Sequence, residues 1–559
     1  MTPSGPDQER ILALTELDQR AVDRATVRSC AARLMTLLKL QAADRAATPG
    51  GASWLYIQDV PARRLVTQLV WKLLRLSSEP SLANSPAVLR PAPGEGLLGL
   101  RPSSFNEYRA YTVTWSGVAY VLGADAERSP RYQPELLLSP AVLRKPASLR
   151  PELPAHADVI ALTWSSRHWA TLGPVLGELT ARGQECVLLD LATEEGQRAP
   201  DPFRNGITVR SAPQALLTAV GTIPEPACRS AAIVEVCGLP VHLDRIEHLV
   251  VMLLALTAGA TQPSWAAITA FEGWLDTQLA ALDPHTLLVS NDISPLGALA
   301  VHTAERQGRV TVNVQHGAWA ADTLSSPALH SRHLVVMGER DRALAEKIAH
   351  HPASQVHVLG QPRFDNLTGE SSAAQRRYLE ELLGAGEECG STRLLLWACQ
   401  PFSPERLAAQ ADLIRAGVLA SHEAWSLAIA PHPAQSPDCF APIRAHLAPV
   451  RVAVVAPEVG ARGSLAGADA LVTVASTCGL EAVLLGVPVL ELLCDGVPSL
   501  RLATHGAATA CSNGVDVARA LDRALVPVDQ AARDAVCYWR GTSSADIAGL
   551  IISSSLQRG

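Results

Sequence analysis

Lysine is almost missing from this 559-residue chain, which has only Lys39, Lys72, Lys145 and Lys347. Any phosphate it binds must therefore be held by arginine, histidine, hydroxyl groups and backbone N–H groups. Paired cysteines are also lacking. The eleven cysteines (Cys30, Cys186, Cys228, Cys237, Cys389, Cys399, Cys439, Cys478, Cys494, Cys511, Cys537) include no CxxC and are odd in number. Neither a zinc site nor a disulfide framework fits that scatter, and a reducing compartment is expected. Long hydrophobic runs are absent too. The longest apolar stretch, Leu249 to Ala260, covers twelve residues and is too short to span a bilayer. Met1 to Arg10 mixes polar and charged residues without a signal-peptide pattern, so a cytoplasmic location is expected. No repeat is visible, and no DxD stands at a predicted strand end, so neither a metal nor another cofactor is called for.

What is present is a well-buried globular composition, 48% hydrophobic and 18% charged, in a chain long enough for two or three domains. Charge is uneven along it. Residues 1–150 carry 19 Lys and Arg against 13 Asp and Glu, a balance of +6; with the whole at −7, residues 151–559 carry −13. Either the basic part docks something anionic or the two parts dock on each other. No nucleic-acid partner is expected.

Residues 1–150 read as a mainly helical accessory module. A helical pattern runs from Glu9 to about Ala46, breaks at Pro49-Gly50-Gly51 and resumes from about Pro61 to Leu76. Prolines 80, 86, 91 and 93 follow, then an aromatic segment with strand alternation at Tyr111 to Trp115. Within residues 61–76, Arg64, Gln68, Lys72 and Arg75 share one face, while Leu65, Val66, Leu69, Val70, Leu73 and Leu74 take the other. Such a helix either lies on an anionic membrane surface, giving peripheral contact at its inner face, or packs its apolar side on a core.

From about residue 155 strands and helices alternate. Asp158 to Thr163, a helix from Leu172 to Arg182, and Cys186 to Leu191 make a βαβ start; Thr286 to Ser290, a helix from Pro295 to Gln307, and Arg309 to Val314 continue it. A second series is predicted at Val356 to Leu359, Arg393 to Ala398, Trp425 to Ala430, Arg451 to Val455, Ala470 to Val474 and Pro488 to Leu492. The fold class is α/β: two Rossmann-like domains, 151–345 and 346–559, facing a cleft at the carboxyl ends of their strands.

The residues with chemistry stand at those strand ends. Ser476 and Thr477 open a helix after a strand, where free N–H groups near Gly479 and the helix dipole attract phosphate, and Glu481 one turn on is placed for ribose hydroxyls. His432, between Pro431 and Pro433, closes another strand and is placed to donate to a phosphoryl oxygen or to protonate a leaving group. Arg363, in Gly360-Gln361-Pro362-Arg363-Phe364-Asp365, either meets a donor phosphate or a sugar carboxylate, or with Asp365 pins an interdomain hinge. In the earlier series His168, Asp292 and His316 are the candidate bases for deprotonating an acceptor hydroxyl. Gly317 beside His316 would permit close backbone approach.

In order, Gln315-His316-Gly317, Gly338-Glu339, Gly360 to Asp365, Pro431-His432-Pro433 and Ser476-Thr477-Cys478-Gly479-Leu480-Glu481 resemble the two-domain GT-B glycosyltransferases of bacterial surface-polysaccharide synthesis. The likeness is to the group holding CDP-glycerol glycerophosphotransferases, capsule polysaccharide transferases and the sialyltransferases with HP and S/T motifs. Tyr538 to Ser544 is similar to the final helix segment of that group. Gln315 departs from it, since the glycerophosphotransferase pattern has Trp before His-Gly. The resemblance implies a metal-independent transferase with no cofactor. It would take a CMP-, CDP- or UDP-linked sugar or polyol donor to a glycan or lipid-linked acceptor. His432, Ser476 and Thr477 would hold the donor phosphates. His316 would be catalytic or phosphate-facing. UDP-N-acetylglucosamine 2-epimerases share the fold and a similar Ser-Thr-Glu turn, so a nucleotide-sugar epimerase, or a non-catalytic scaffold of the same fold, are the alternatives.

Overall fold

The computed structural model describes residues 10–13, 22–42, 47–77, 87–90, 111–115, 118–122, 154–192, 206–213, 233–236, 239–243, 246–247, 250, 265–319, 329–347, 349, 351–367, 372–384, 392–432, 435, 437–494, 499–523 and 528–556. The chain divides into two compact units. One comprises residues 1–169, 180–312 and 324–332, the other residues 170–179, 313–323 and 333–559.

In the first unit, Arg10–Ala13 (β1), expected to be helical, pairs parallel with Ala87–Arg90 (β2). A partner strand recruited from more than seventy residues away overrides local propensity there. Tyr111–Trp115 (β3) is the strand its alternation predicts. It joins Val118–Leu122 (β4), Ile233–Val236 (β8) and Leu239–His242 (β9) in a six-stranded sheet ordered β1-β2-β4-β3-β9-β8. Helix Arg24–Ala42 packs on helix Asp59–Ser77. The second helix buries Leu65, Val66, Leu69 and Val70, so the apolar side that could have faced a membrane is covered by the protein. Among the described residues no helix is long and apolar enough to cross a membrane.

The first parallel sheet contains Val159–Thr163 (β5), Cys186–Asp190 (β6), Thr208–Ser211 (β7), Thr286–Val289 (β10), Val310–Val314 (β11), His333–Val336 (β12) and Val356–Val358 (β13). Their order is β13-β12-β11-β10-β5-β6-β7. Its inner strands are buried throughout, as helices on both faces require, and this is why they read as unbroken apolar runs. One strand assignment is corrected: Val356–Val358, expected to begin the second series, pairs parallel with β12 as the edge of this first sheet.

The second parallel sheet is Arg393–Ala398 (β14), Trp425–Ala430 (β15), Val452–Val454 (β16), Ala470–Thr473 (β17), Val489–Leu492 (β18) and Thr509–Cys511 (β19), ordered β16-β15-β14-β17-β18-β19. Two apolar layers flank it, one around Phe364, Leu480 and Val536, the other around Trp397, Ile414 and Phe440. The two Rossmann-like sheets expected from the sequence are thus present.

Strand order fixes where each sheet opens a crevice. In the second sheet the chain winds outward from β14 through β15 and β16, then returns to β17 on the other side of β14, so the switch point lies between β14 and β17. In the first sheet it lies between β5 and β10. The segments leaving these four strands are the natural places for a ligand.

Candidate functional site

At the switch point of the second sheet, β17 runs out through Val474 and Ala475 into Ser476 and Thr477, and helix Cys478–Leu485 begins. Thr473 Oγ1 donates to Ala398 O at 3.0 Å and ties the ends of β17 and β14 together. Ser476 Oγ accepts from Cys478 N at 3.3 Å, whereas Thr477 caps the helix without a side-chain bond. Gly479 lies against Leu502: a Cβ there would stand 3.0 Å from Leu502 Cδ1, so its small size serves packing. The Cys478 thiol is pushed up to about 11 by burial, with Glu481 adding to the effect. Burial thus disfavours the thiolate, the form that acts as a nucleophile.

Glu481, one turn into this helix and 4% exposed, faces two arginines. Arg363 Nη2 donates to Glu481 Oε1 at 3.3 Å, and Arg462 Nε lies 3.8 Å from Oε2. Arg462 also donates to the Arg363 carbonyl at 3.2 Å. Burial lowers the Arg363 pKa from its ordinary value, and the Glu481 charge offsets this. Within the group, Arg363 Nε and Glu481 Oε2 are buried without a hydrogen-bond partner among the described residues.

The arginine is held from below by a turn built for the purpose. Gly360, at φ +82°, sits so tightly on the Tyr538 carbonyl and Ser543 Oγ that only glycine fits. Pro362 opens a short 3-10 turn, Phe364 is fully buried, and Trp539 Nε1 donates to Phe364 O at 2.8 Å. Asp365 accepts from Ser543 N (2.9 Å), Ser544 N (2.8 Å) and Ser544 Oγ (2.5 Å), capping helix Ser543–Leu556. Tyr538 to Ser544 therefore fixes the turn that carries Arg363.

His316 follows β11, and its loop is locked by its neighbour. Gln315, 2% exposed, donates through Nε2 to Gly317 O (2.9 Å) and accepts at Oε1 from Met337 N (2.9 Å). Its carbonyl accepts from Gln361 Nε2 at 2.6 Å. The strand end bearing His316 and the turn bearing Arg363 are thus joined directly, and a glutamine serves this purpose where the resembling pattern has tryptophan. Arg340 supports the far side: it donates to Leu500 O (2.8 Å), to Asp341 Oδ1 (2.7 Å) and to Trp319 O. Arg340 and Asp341 escaped the sequence reading. The signal was there in the Gly338-Glu339-Arg340-Asp341 run, because two buried charges (3% and 0% exposed) just after a strand require an internal task. His316 itself is half-buried, and a Cβ at Gly317 would meet no heavy atom within 4 Å among the described residues.

Pro431 and His432 follow β15, half-buried. Gln435 closes the turn, its Oε1 accepting from His432 N at 3.0 Å and its N–H donating to His432 O at 2.8 Å. Pro433 lies outside the described residues. One strand, β14, separates β15 and β17, so the strands that lead to His432 and Ser476 lie about 10 Å apart.

At the switch point of the first sheet the polar strand ends do other work. Asp292 is fully buried and its Oδ2 accepts from His330 N (3.0 Å) and Ser331 N (2.8 Å). Asn291 Oδ1 accepts from Ile293 N and Ser294 N, closing the turn before helix Pro295–Arg306. His168 is 3% exposed in the first turn of helix Ser166–Ala181, its ring edge-on to Trp164 at 4.4 Å between centroids. The structure brings Arg363 and Glu481 into contact and joins the His316 loop to the Arg363 turn. Asp292 it buries fully, and His168 it packs against Trp164.

No protein-family model matches the chain, and no curated protein sequence matches it. Among solved structures it is similar to the MnaA protein of S. aureus solved with UDP (12% identity, 71% of this chain and 96% of that one, TM-score 0.47). It is also similar to the UDP-GlcNAc 2-epimerase of Methanocaldococcus jannaschii (12%, 71% and 99%, TM-score 0.47) and to a glycosyltransferase of Rickettsia africae (6%, 73% and 100%, TM-score 0.47).

Proposed function

We propose that the chain is a metal-independent GT-B transferase moving a glycosyl or polyol-phosphate group from a nucleotide-activated donor to a hydroxyl of a bacterial surface glycan. The carrying observation is the buried Arg363–Glu481 pair, with the exposed Arg462 beside it, where Glu481 stands in the first turn of the helix opened by Ser476 and Thr477 at the switch point of the second sheet. A helix N-terminus and a cation favour a phosphate, while a buried carboxylate with an unmet oxygen favours a sugar hydroxyl. A nucleoside diphosphate offers both on one molecule. His432 would meet the donor phosphates together with Ser476 and Thr477, stabilising the charge of the departing nucleotide.

His316 is the base we favour. It is half-buried on a loop held in place by Gln315, Gln361 and Arg340, as a group that must meet an acceptor requires. His168 and Asp292 are better accounted for by packing and by backbone support. The test is to incubate the purified chain with CMP-, CDP- and UDP-linked donors, with and without glycan acceptors, and follow nucleotide release. Acceptor-dependent release supports the transferase; a sugar nucleotide converted without acceptor makes the chain an isomerase instead.

A further inference from the structure

We propose a second site, for a first-row divalent transition-metal ion, made by His156, Asp158 and His285 at the amino-terminal end of the first parallel sheet. The three offer one ligand atom each, all within 4.8 Å of one another. Their positions follow from the fold. His156 and Asp158 lie two residues apart just before β5, so in extended chain they point the same way, while Ala157 between them is buried. His285 lies just before β10, which pairs parallel with β5 in the register Thr286 to Val159. Its N–H donates to Asp158 O at 2.9 Å, and its own carbonyl accepts from Val310 N at 3.0 Å. The backbone under Asp158 and His285 is therefore fixed by hydrogen bonds, and Ala157 N, next to His156, donates to Leu282 O at 2.9 Å.

The carboxylate is oriented as well. Asp158 Oδ2 accepts from Glu185 N at 2.8 Å, which turns Oδ1 toward His156 Nε2 at 3.3 Å. Such a bond from outside the ligand set is what holds metal-binding carboxylates in place. The two imidazoles stand edge to face, 6.3 Å between centroids, and both are exposed, so their rings can rotate to close on an ion. Bonds of about 2.1 Å around a tetrahedral ion set ligand atoms about 3.4 Å apart, a contraction within reach of free side-chain rotation. Helix Trp265–Leu282 ends here, its last carbonyls giving the negative end of a helix dipole. Arg309, the nearby cation, is engaged by Asp283 at 2.6 Å and by Pro284 O at 3.0 Å.

Two imidazoles and one carboxylate select zinc, cobalt, nickel or copper over magnesium and calcium. A bound ion would clamp the starts of β5 and β10. Because parallel strands carry their crevice at the carboxyl ends, the clamp lies at the opposite end of β5 from any ligand bound there, and its readout is independent of the proposed transfer reaction.

The experiment uses the full chain, free of any affinity tag and stripped with a chelator, titrated with ZnCl2 against a chromophoric competitor, and with CoCl2 followed by visible absorbance. The expected result is one zinc equivalent that the His156→Ala/His285→Ala double variant lacks, with at least tenfold weaker binding in each single variant. Zinc should also raise the wild-type melting temperature more than that of the double variant, and magnesium should do neither. Both histidines are exposed, so the variants fold. Equal zinc stoichiometry and affinity in wild type and double variant would overturn the site.

Discussion

Arg363 and Glu481 meet at 3.3 Å across 118 residues of sequence, joining the turn after the last strand of the first sheet to the helix that opens at the switch point of the second. Both are largely buried, with side-chain exposures of 16% and 6%. Glu481→Gln leaves the Arg363 charge buried without its partner and should cost about 3 kcal/mol in denaturant unfolding, while Arg363→Met leaves Glu481 only the exposed Arg462 at 3.8 Å and should cost about 2 kcal/mol. Removing both should cost far less than the two single losses together. Additive losses in a double-mutant cycle would mean that the two groups do not interact in solution.

The turn that presents Arg363 rests on Asp365. Asp365→Ala removes a helix cap and three hydrogen bonds to Ser543 and Ser544, and should lower stability by about 2 kcal/mol. It should also weaken nucleotide binding without changing any group that touches the nucleotide. Asp365→Asn keeps one acceptor oxygen but turns an NH2 toward a donor on the other side, so it should recover only part of both; an Asp365→Ala chain as stable as wild type would mean that capping is not the role.

The buried Asp341 and the half-buried His357 give opposite pH dependence. Asp341 is raised to about 6 by burial, partly offset by Arg340, so the folded chain holds a proton that the unfolded chain releases, and its contribution to stability falls as pH rises from about 4 to about 6. His357 is lowered to about 4 by burial and then by His333, whose Nδ1 lies 3.2 Å from its Nε2. The unfolded chain therefore binds the extra proton, and this stability is lost as pH falls from about 6.5 to about 4. Relative to wild type, Asp341→Asn should make stability rise more steeply with pH across this window, and His357→Gln should flatten or reverse the rise. Urea melts at half-unit pH steps measure both.

The three candidate bases separate by what their loss does. His316→Ala should abolish turnover while leaving the melting temperature within a degree or two, because the ring is half-buried on a loop held by other residues. His168→Ala should destabilise by about 1–3 kcal/mol through the lost packing on Trp164. Asp292→Ala should destabilise as strongly, by leaving the His330 and Ser331 N–H groups without their acceptor. Full turnover in a folded His316→Ala chain would move the base elsewhere.

Much of this arrangement was legible in the residues. Inner strands such as Arg393–Ala398 and Trp425–Ala430 are buried on both faces and announce themselves as continuous apolar runs. Helix Pro295–Arg306 is marked by Ser294, whose Oγ accepts from Gly297 N at 3.2 Å, and by Pro295 in its first turn. What stayed hidden depends on distant partners. Val356–Val358 reads as a strand, but nothing in three residues says which sheet it joins, and Arg10–Ala13 is a strand only because Ala87–Arg90 pairs with it. Polar residues at strand ends were readable as a set, but not their division of labour. Asp292 and Gln315 both hold backbone, one at His330 and Ser331, the other at Met337 and Gly317, and only the folded positions tell them from a residue that faces a ligand.

The central claim is that the Ser476-Thr477 helix end, with Arg363, Glu481 and His432, holds an activated nucleotide. A thermal-shift screen of CMP, CDP, UDP, GDP and their sugar or polyol conjugates tests it most directly. At a hundred times its dissociation constant, one of these should stabilise the wild-type chain by about 2.7 kcal/mol. That shift should vanish in His432→Ala and in Ser476→Ala/Thr477→Val. If no nucleotide in the screen moves the melting temperature, or if the same shift persists in both variants, the account is contradicted.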